Sequence, residues 1–572
     1  MWFQTFWSPG NESAMRFGDF FLGALSITGA YTTSSKTPTI TTLNGTYAGA
    51  YNGNYGVESF LGIPFAQPPI GSLRFRTPQP LNTSWTGTKD ATEYGNQCVG
   101  YGSDTYLTPF PLSEDCLTLN VVRPAGRGVT EKLPVAVWIH GGGYVQGSSQ
   151  NPRYNLSFIV QHSVETEHPF IGVSINYRLQ SWGFLFSREI KDQKVGNLGL
   201  RDQRAALNWV QENIASFGGD PSKVTIWGES AGAGSVGAQL IAYGGRDDGL
   251  FRAAIAQSGS SLSFSRYPSS SDYQAVYDNI TATTGCSSAS DTLDCLRAVP
   301  FEALNNGFNS SAVLATIQGP TIDEDFIIQS PTTQLLNGQF VKVPLLIGTN
   351  TDEGTSFGPI GIDTDAEFRS YLTGRLTTNN STLSALQVLY PDIPEIGTPE
   401  TFKARPGPDL GLQYKRSSAI IGDSLMHAPR RFMNQIWAKN NLSSYSYRFN
   451  VVPNGVSYSS GSNHFKEVAF VFDNVDGVGY AELAGTDPFA NKSASYKDLA
   501  GLMAGMWGSF ITTLDPNIDR GPQLSWPVYG NYSGQNYVFD ANVTNLAYVE
   551  EDTFRAEAIN YFTRNFVELF GR

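Results

Sequence analysis

Charge is scarce in this chain: Asp, Glu, Lys and Arg make up only 16% of its 572 residues, against 40% hydrophobic and 13% aromatic residues. Disordered segments combine few aromatics with high net charge, and coiled coils are dense in Glu and Lys, so both classes are excluded. Basic residues are the scarcer sign, 38 against 51 acidic, for a formal net charge of −13. Binding to a phosphate backbone draws on a clustered basic surface, so nucleic acid is not expected as a partner. Beyond residue 30 no apolar run approaches the ~18 residues that span a bilayer, and stable membrane insertion is not expected either. Cysteine is limited to two close pairs, Cys98 with Cys116 and Cys286 with Cys295. Neither pair has C-x-x-C spacing or a histidine nearby, which argues against zinc and for two local disulfides. No metal and no cofactor is expected.

What is present begins with an N-terminus unlike the rest. Met15-Arg16 leads, after Asp19, into the apolar run 20–27 and the small residues Thr28-Gly29-Ala30. A positive start, a short apolar run and a small-residue end are the three parts of a secretory signal peptide. The expectation is an upstream extension over 1–14, a signal peptide over 15–30 and a single domain over 31–572. N-x-[ST] sequons, among them Asn44, Asn82, Asn155, Asn279 and Asn542, fit a glycoprotein. Together these features predict a secreted, extracellular protein.

The body of the chain alternates strand and helix signals. Pro134 to Ile139 is a continuous apolar run into His140-Gly141-Gly142-Gly143, as a strand covered on both faces would be. Phe170–Tyr177 reads the same way. Leu200 to Phe217 is helical, with Leu207, Val210 and Ile214 on one face, and Gly218-Gly219 ends it. Val224–Trp227 follows as a strand, then a helix to about Tyr243, then strands at 253–257 and 343–348. Such alternation predicts an α/β fold with a mainly parallel sheet between two helical layers.

Between the strand 224–227 and the helix after it lies Gly228-Glu229-Ser230-Ala231-Gly232. G-x-S-x-G in that context is a nucleophile elbow: a sharp turn that lifts a serine hydroxyl clear of the sheet. His140-Gly141-Gly142-Gly143 is the matching half of an oxyanion hole, where glycines let backbone N–H groups approach a developing negative charge. The donors are assigned to Gly142, Gly143 and Ala231. A serine needs a base and the base an orienting acid. The order serine, acid, histidine sets aside His140, His162 and His168 and leaves His427 and His464. His427 sits in a helical stretch; His464 follows the polar segment Ser459–Asn463 and is favoured as the base, since a general base belongs on a loop. For the acid, Asp352 and Glu353 both follow the strand 343–348 and remain open.

Separate blocks of sequence carry a resemblance. They include Gly62-Ile63-Pro64-Phe65-Ala66, Ser113-Glu114-Asp115-Cys116-Leu117, the His140 glycine loop, Asn176-Tyr177-Arg178, Gly196–Gln203 and Phe217–Ser230. With them the chain resembles the type B carboxylesterase/lipase family, which includes cholinesterases and fungal lipases. Asn120–Pro124 is similar to fungal members. The resemblance implies a single α/β-hydrolase domain, Glu353 as the acid, His464 as the base and both cysteine pairings. It also implies supporting roles for Glu229, beside the nucleophile, and Ser258. The expected partner is a small-molecule or lipid ester. The segment between Cys98 and Cys116 is shorter than the lid of lipase relatives and lacks the tryptophan with which cholinesterases hold choline. These differences favour a carboxylesterase without interfacial activation; a triacylglycerol lipase is the alternative, and a non-catalytic adhesion protein of the same fold a remote one.

Overall fold

Alternate residues of Leu133–Ile139 face two separate apolar layers: Val135, Val137 and Ile139 join one cluster, Ala136 and Trp138 the other. A strand that buries both faces must lie inside a sheet with helices on each side. The computed structural model describes residues 37–263, 267–316, 319–375, 379–517, 524–530 and 534–572. Thr37–Arg572 forms one compact unit. The expected extension and signal peptide lie outside the described residues.

Among the described residues the central sheet has eleven strands. In chain order they are β1 (Ala50–Asn52), β2 (Val57–Pro64), β3 (Thr118–Pro124), β4 (Leu133–Ile139), β5 (Ile171–Ile175), β6 (Gly219–Glu229), β7 (Ala253–Gln257), β8 (Leu345–Asn350), β9 (Ser444–Phe449), β10 (Gln535–Phe539) and β11 (Ala547–Glu551). Their spatial order is 11-10-9-8-7-6-4-5-3-2-1. The pairs from β5 through β10 are parallel, whereas β1, β2, β3 and β11 pair antiparallel at the two edges. Parallel neighbours require crossovers, and these supply the helices on both faces.

One layer packs α1 (Leu156–Glu165) and α4 (Ala494–Thr513) on Trp138, Trp227 and Tyr447. The other packs α2 (Leu198–Asn213), α3 (Ala231–Gly245) and the helix Ala428–Lys439 on Val137, Ile226 and Ile347. The helix expected to reach Phe217 turns to 3₁₀ at Ile214 and ends at Gly218, whose φ of 87° only glycine takes freely. Both disulfides, Cys98–Cys116 and Cys286–Cys295, are formed. Among the described residues no helix is long and apolar enough to cross a membrane.

One buried ion cluster ties the helix Ala428–Lys439 to the C-terminal edge. Arg430 Nη2 and Arg431 Nη2 both donate to Asp552 Oδ1, at 2.7 and 2.8 Å, and Tyr529 donates to Oδ2 at 2.9 Å. Burial pushes the Asp552 carboxyl up, but the two guanidinium groups outweigh it and hold it far below the ordinary 3.8. The folded state therefore binds this proton less readily than the unfolded chain. Its contribution is present above the ordinary aspartate range and is lost as pH falls beneath it. Asp552→Ala strands two buried cations and should destabilise the fold by about 3–5 kcal/mol in urea unfolding at pH 7. A loss below about 1 kcal/mol would contradict this account.

Candidate active site

Strand β6 ends at Glu229 and α3 starts at Ala231, so the reversal falls on one residue. Ser230 takes φ 57° and ψ −121°, a strained conformation for a residue with a side chain. The flanking glycines explain how the turn closes. A Cβ on Gly228 would lie 2.5 Å from the carbonyl carbon of Gly232, and one on Gly232 would lie 2.0 Å from Ile139 O. Strand β4 thus passes directly beneath the start of α3. The first N–H groups of that helix, and its positive dipole end, face the space above Ser230.

His464 sits between Ser230 and Glu353. Its Nε2 is 2.8 Å from Ser230 Oγ and its Nδ1 donates to Glu353 Oε2 at 2.7 Å. Glu353 opens a 3₁₀ turn just after β8 and is fully buried; its Oε1 accepts from Asn350 N at 2.8 Å. Glu229 Oε1 lies 3.2 Å from His464 Nε2, and the edge of the Phe357 ring packs on the imidazole with centroids 4.8 Å apart. The Ser258 hydroxyl reaches the Glu353 carboxylate without the alignment of a full hydrogen bond. Asp352 turns away from the imidazole: its Oδ2 accepts from Ser462 N at 2.8 Å.

The other four histidines are engaged elsewhere. His140 is buried, stacked on Tyr177 with centroids 4.4 Å apart, and its Nδ1 lies 2.9 Å from Gly141 O. His427 falls in a π-helical turn, Asp423–His427, and bonds Thr349 Oγ1 at 3.0 Å. His162 pairs with Asp473 and His168 with Thr512.

Ser230 opens into a cavity of about 510 Å³. Gly143, Ala231 and Tyr144 wall one part of it, and Phe357, Leu425 and Met426 another. Gly142, the residue before Gly143, accepts at its carbonyl from Val145 N and Gln146 N. No described residue between Cys98 and Cys116 lines the cavity. That segment carries the short helix Ser103–Leu107, which is fastened sideways by an ion pair from Asp104 to Arg153.

Residues 33–560 match the carboxylesterase family. The chain belongs to that family. It is 34% identical to a secreted triacylglycerol lipase of Gibberella zeae over 92% of this chain and 90% of that one. Lipase 4 of Diutina rugosa is 36% identical over 91% of this chain and 94% of its own, and mouse cholinesterase 34% over 83% and 78%. The fold is that of Aspergillus niger EstA, with a TM-score of 0.78, 30% identity, and 93% and 99% of the two chains covered. This carboxylesterase is accordingly an α/β hydrolase that cleaves carboxylic esters by serine chemistry.

The carboxylesterase surrounds one imidazole with the buried carboxylates Glu229, Glu353 and Glu467. Burial disfavours the imidazolium of His464, but these carboxylates, Glu229 foremost, outweigh it and raise its pKa to about 9. Burial also pushes Glu229 well above the carboxylate range and Glu467 upward. For Glu353 burial is overcome by the imidazolium, by bonds from His464 and Asn350 N and by the nearby Ser258 hydroxyl, and it stays low. Glu353 is thus favoured in its ionised form, whereas burial disfavours the charges of Glu229 and Glu467; any proton taken up by these two would remove a charge that favours imidazolium.

Glu467 and Asn350 had no role in the reading of the sequence. Asn350 Nδ2 donates to Glu467 Oε2 at 2.7 Å and to Asn463 O at 2.8 Å, and Gln257 Nε2 donates to Glu467 Oε1 at 3.2 Å. Only the spacing of an acid three residues after His464, on the same short turn, hinted at it. Leu425 and Met426 gave no signal, because a π-turn rather than an α-turn aims them into the cavity. Glu229→Gln removes the foremost carboxylate acting on His464 while keeping its shape. The imidazole should then titrate about one pH unit or more lower, read from its downfield N–H resonance; an unchanged or higher value would refute the assignment.

Proposed function

We propose that this carboxylesterase is secreted and hydrolyses soluble, short-chain carboxylic esters through an acyl-enzyme on Ser230. His464 acts as general base and acid, Glu353 as the orienting carboxylate. The observation that carries the reading is the continuous chain from Ser230 Oγ through His464 to Glu353, at 2.8 and 2.7 Å.

In the proposed mechanism Ser230 Oγ attacks the ester carbonyl while its proton passes to His464 Nε2. Glu353 holds the proton on Nδ1 and offsets the imidazolium charge. The N–H groups of Gly142, Gly143 and Ala231 stabilise the oxyanion. His464 then protonates the leaving alcohol, and water attacks the acyl-enzyme by the same steps in the same roles. Glu229 shapes the field at Nε2. Ser258 supports the Glu353 carboxylate from behind.

A soluble substrate is favoured because the Cys98–Cys116 segment, fastened to Arg153, does not wall the cavity. Interfacial activation needs a flap that covers the site. The second reading, a triacylglycerol lipase, is favoured by relatives named as secreted lipases in Gibberella zeae and Botryotinia fuckeliana. The same names, the two disulfides and the signal-like segment over 15–30 support secretion.

A p-nitrophenyl ester series from acetate to palmitate, hydrolysed by wild type and Ser230→Ala, separates these readings. The expected result is a short-chain optimum that the alanine variant lacks. A long-chain optimum rising sharply above substrate solubility would instead make the protein a lipase. Glu353→Gln should lower kcat by roughly 10³- to 10⁴-fold; an unchanged rate would overturn Glu353 as the orienting carboxylate.

A further inference from the structure

The carboxylate next to Glu353 is the buried acid that the mechanism leaves unused. Asp352 is 3% exposed and does not face the imidazole. It meets Ser462, two residues before His464, twice: Asp352 N donates to Ser462 O at 2.9 Å, and Ser462 N donates to Asp352 Oδ2 at 2.8 Å. Together they form a closed ring of bonds between the loop that carries Glu353 and the loop that carries His464.

Resting on the proposed mechanism, we infer that Asp352 is a positioning residue, setting the height of His464 against Glu353 through its bond to Ser462 N. The surrounding loop is built around that bond. Gly461 has φ 62°, and a Cβ there would lie 2.2 Å from Asp352 Oδ2, so the loop approaches the carboxylate at this distance only with glycine. Ser462 Oγ donates to Phe449 O at 2.9 Å and accepts from Val451 N at 3.2 Å, which occupies its side chain on the sheet side. Two further ties flank the clamp: Thr355 Oγ1 donates to Ser460 O at 2.7 Å, and Asn350 Nδ2 to Asn463 O at 2.8 Å. Of these contacts, only the Asp352 pair lies within two residues of both catalytic side chains, one from Glu353 and two from His464.

The bond needs an acceptor in this place rather than a negative charge. Burial raises the Asp352 carboxyl to about 7, against the Ser462 N–H, which favours the ionised form; Glu400 adds to the rise, and Arg555 and Arg448 oppose it. A group that is partly neutral at neutral pH already makes this bond in uncharged form. An amide oxygen can therefore replace the carboxylate oxygen.

The test is steady-state hydrolysis of p-nitrophenyl butyrate by full-length Asp352→Ala, Asp352→Ser and Asp352→Asn, with thermal unfolding to establish that each is folded. Ala removes the acceptor; Ser keeps a polar group in the buried place but is one bond too short to reach Ser462 N. Both should lose kcat by roughly 10- to 100-fold with KM within about twofold of wild type, as a misplaced base costs turnover rather than binding. Asn should stay within about threefold of wild-type kcat. If Ala does not fold, Ser gives the same comparison. Retained kcat in the folded Ser variant overturns the inference, as does an Asn variant as slow as Ser, which would mean that the charge acts directly. Loss confined to KM overturns it too. Ser230→Ala, run beside them, keeps the two claims apart: if it retains activity the mechanism fails, whereas if it is inactive while Ser at 352 is fast, only the role of Asp352 fails.

Discussion

Ile139 O and the backbone of Gly232 come together where β4 passes under the first turn of α3, with no room for a side chain between them. Much else follows from that approach. It forces the chain to reverse on Ser230 alone, in a strained conformation that the sheet and helix on either side hold in place. It sets the open end of a helix, with its unpaired N–H groups, above the hydroxyl. It also brings the glycine loop after β4 to the same cavity, because that loop is simply the continuation of the strand beneath. A parallel sheet covered on both faces makes such an approach rigid: Trp138 and Trp227 on one side, and Val137 and Ile226 on the other, leave the two strands no freedom to part.

Around this turn the protein concentrates charge that it otherwise uses sparingly. Glu229, Glu353 and Glu467 are buried about one imidazole, and the structure gives them unequal surroundings. Glu353 receives bonds from His464 and Asn350 N and stays ionised; Glu229 has the imidazole as its near partner and is dominated by burial. Glu467 is held by Asn350 and Gln257, and Gln257 in turn accepts from Trp507 at 3.1 Å. Side chains of the hydrophobic layer thus hold the polar group that faces the site. Unequal environments push the three carboxyls in different directions: Glu353 is held low beside the imidazole, while burial raises Glu229 and Glu467.

Legibility in the sequence followed the range of each constraint. The buried strands were readable because a strand covered on both faces has no polar residues to interrupt it, and β4, β5 and β7 lie where the apolar runs predicted. The antiparallel edge strands β1 and β11 were not readable: Ala50–Asn52 and Ala547–Glu551 are short and half-exposed, and only pairing makes them strands. The turn at Ser230 was legible because glycines two residues before and after a serine are required by local crowding. His464 was favoured over His427 by context, and the structure occupies His427 with Thr349. Asp352 and Glu353 were indistinguishable by residue type, being adjacent acids after one strand.

The sequence by itself determined the layered α/β architecture, the elbow with its serine, the family and its ester chemistry, because each rests on local periodicity, crowding or a run of matching residues. Which of two adjacent carboxylates turns toward the imidazole was open to residue type and answered in the sequence only by the family resemblance; tertiary structure alone decided that Glu467 joins it, that Leu425 and Met426 line the cavity, and that the Cys98–Cys116 segment is fastened aside. Those outcomes depend on which distant segments meet, across 49 residues for Asp104 and Arg153, 111 from Glu353 to His464 and 234 from Ser230 to His464. Orientation at such a meeting is set by the packing of both partners, and neither segment carries it alone.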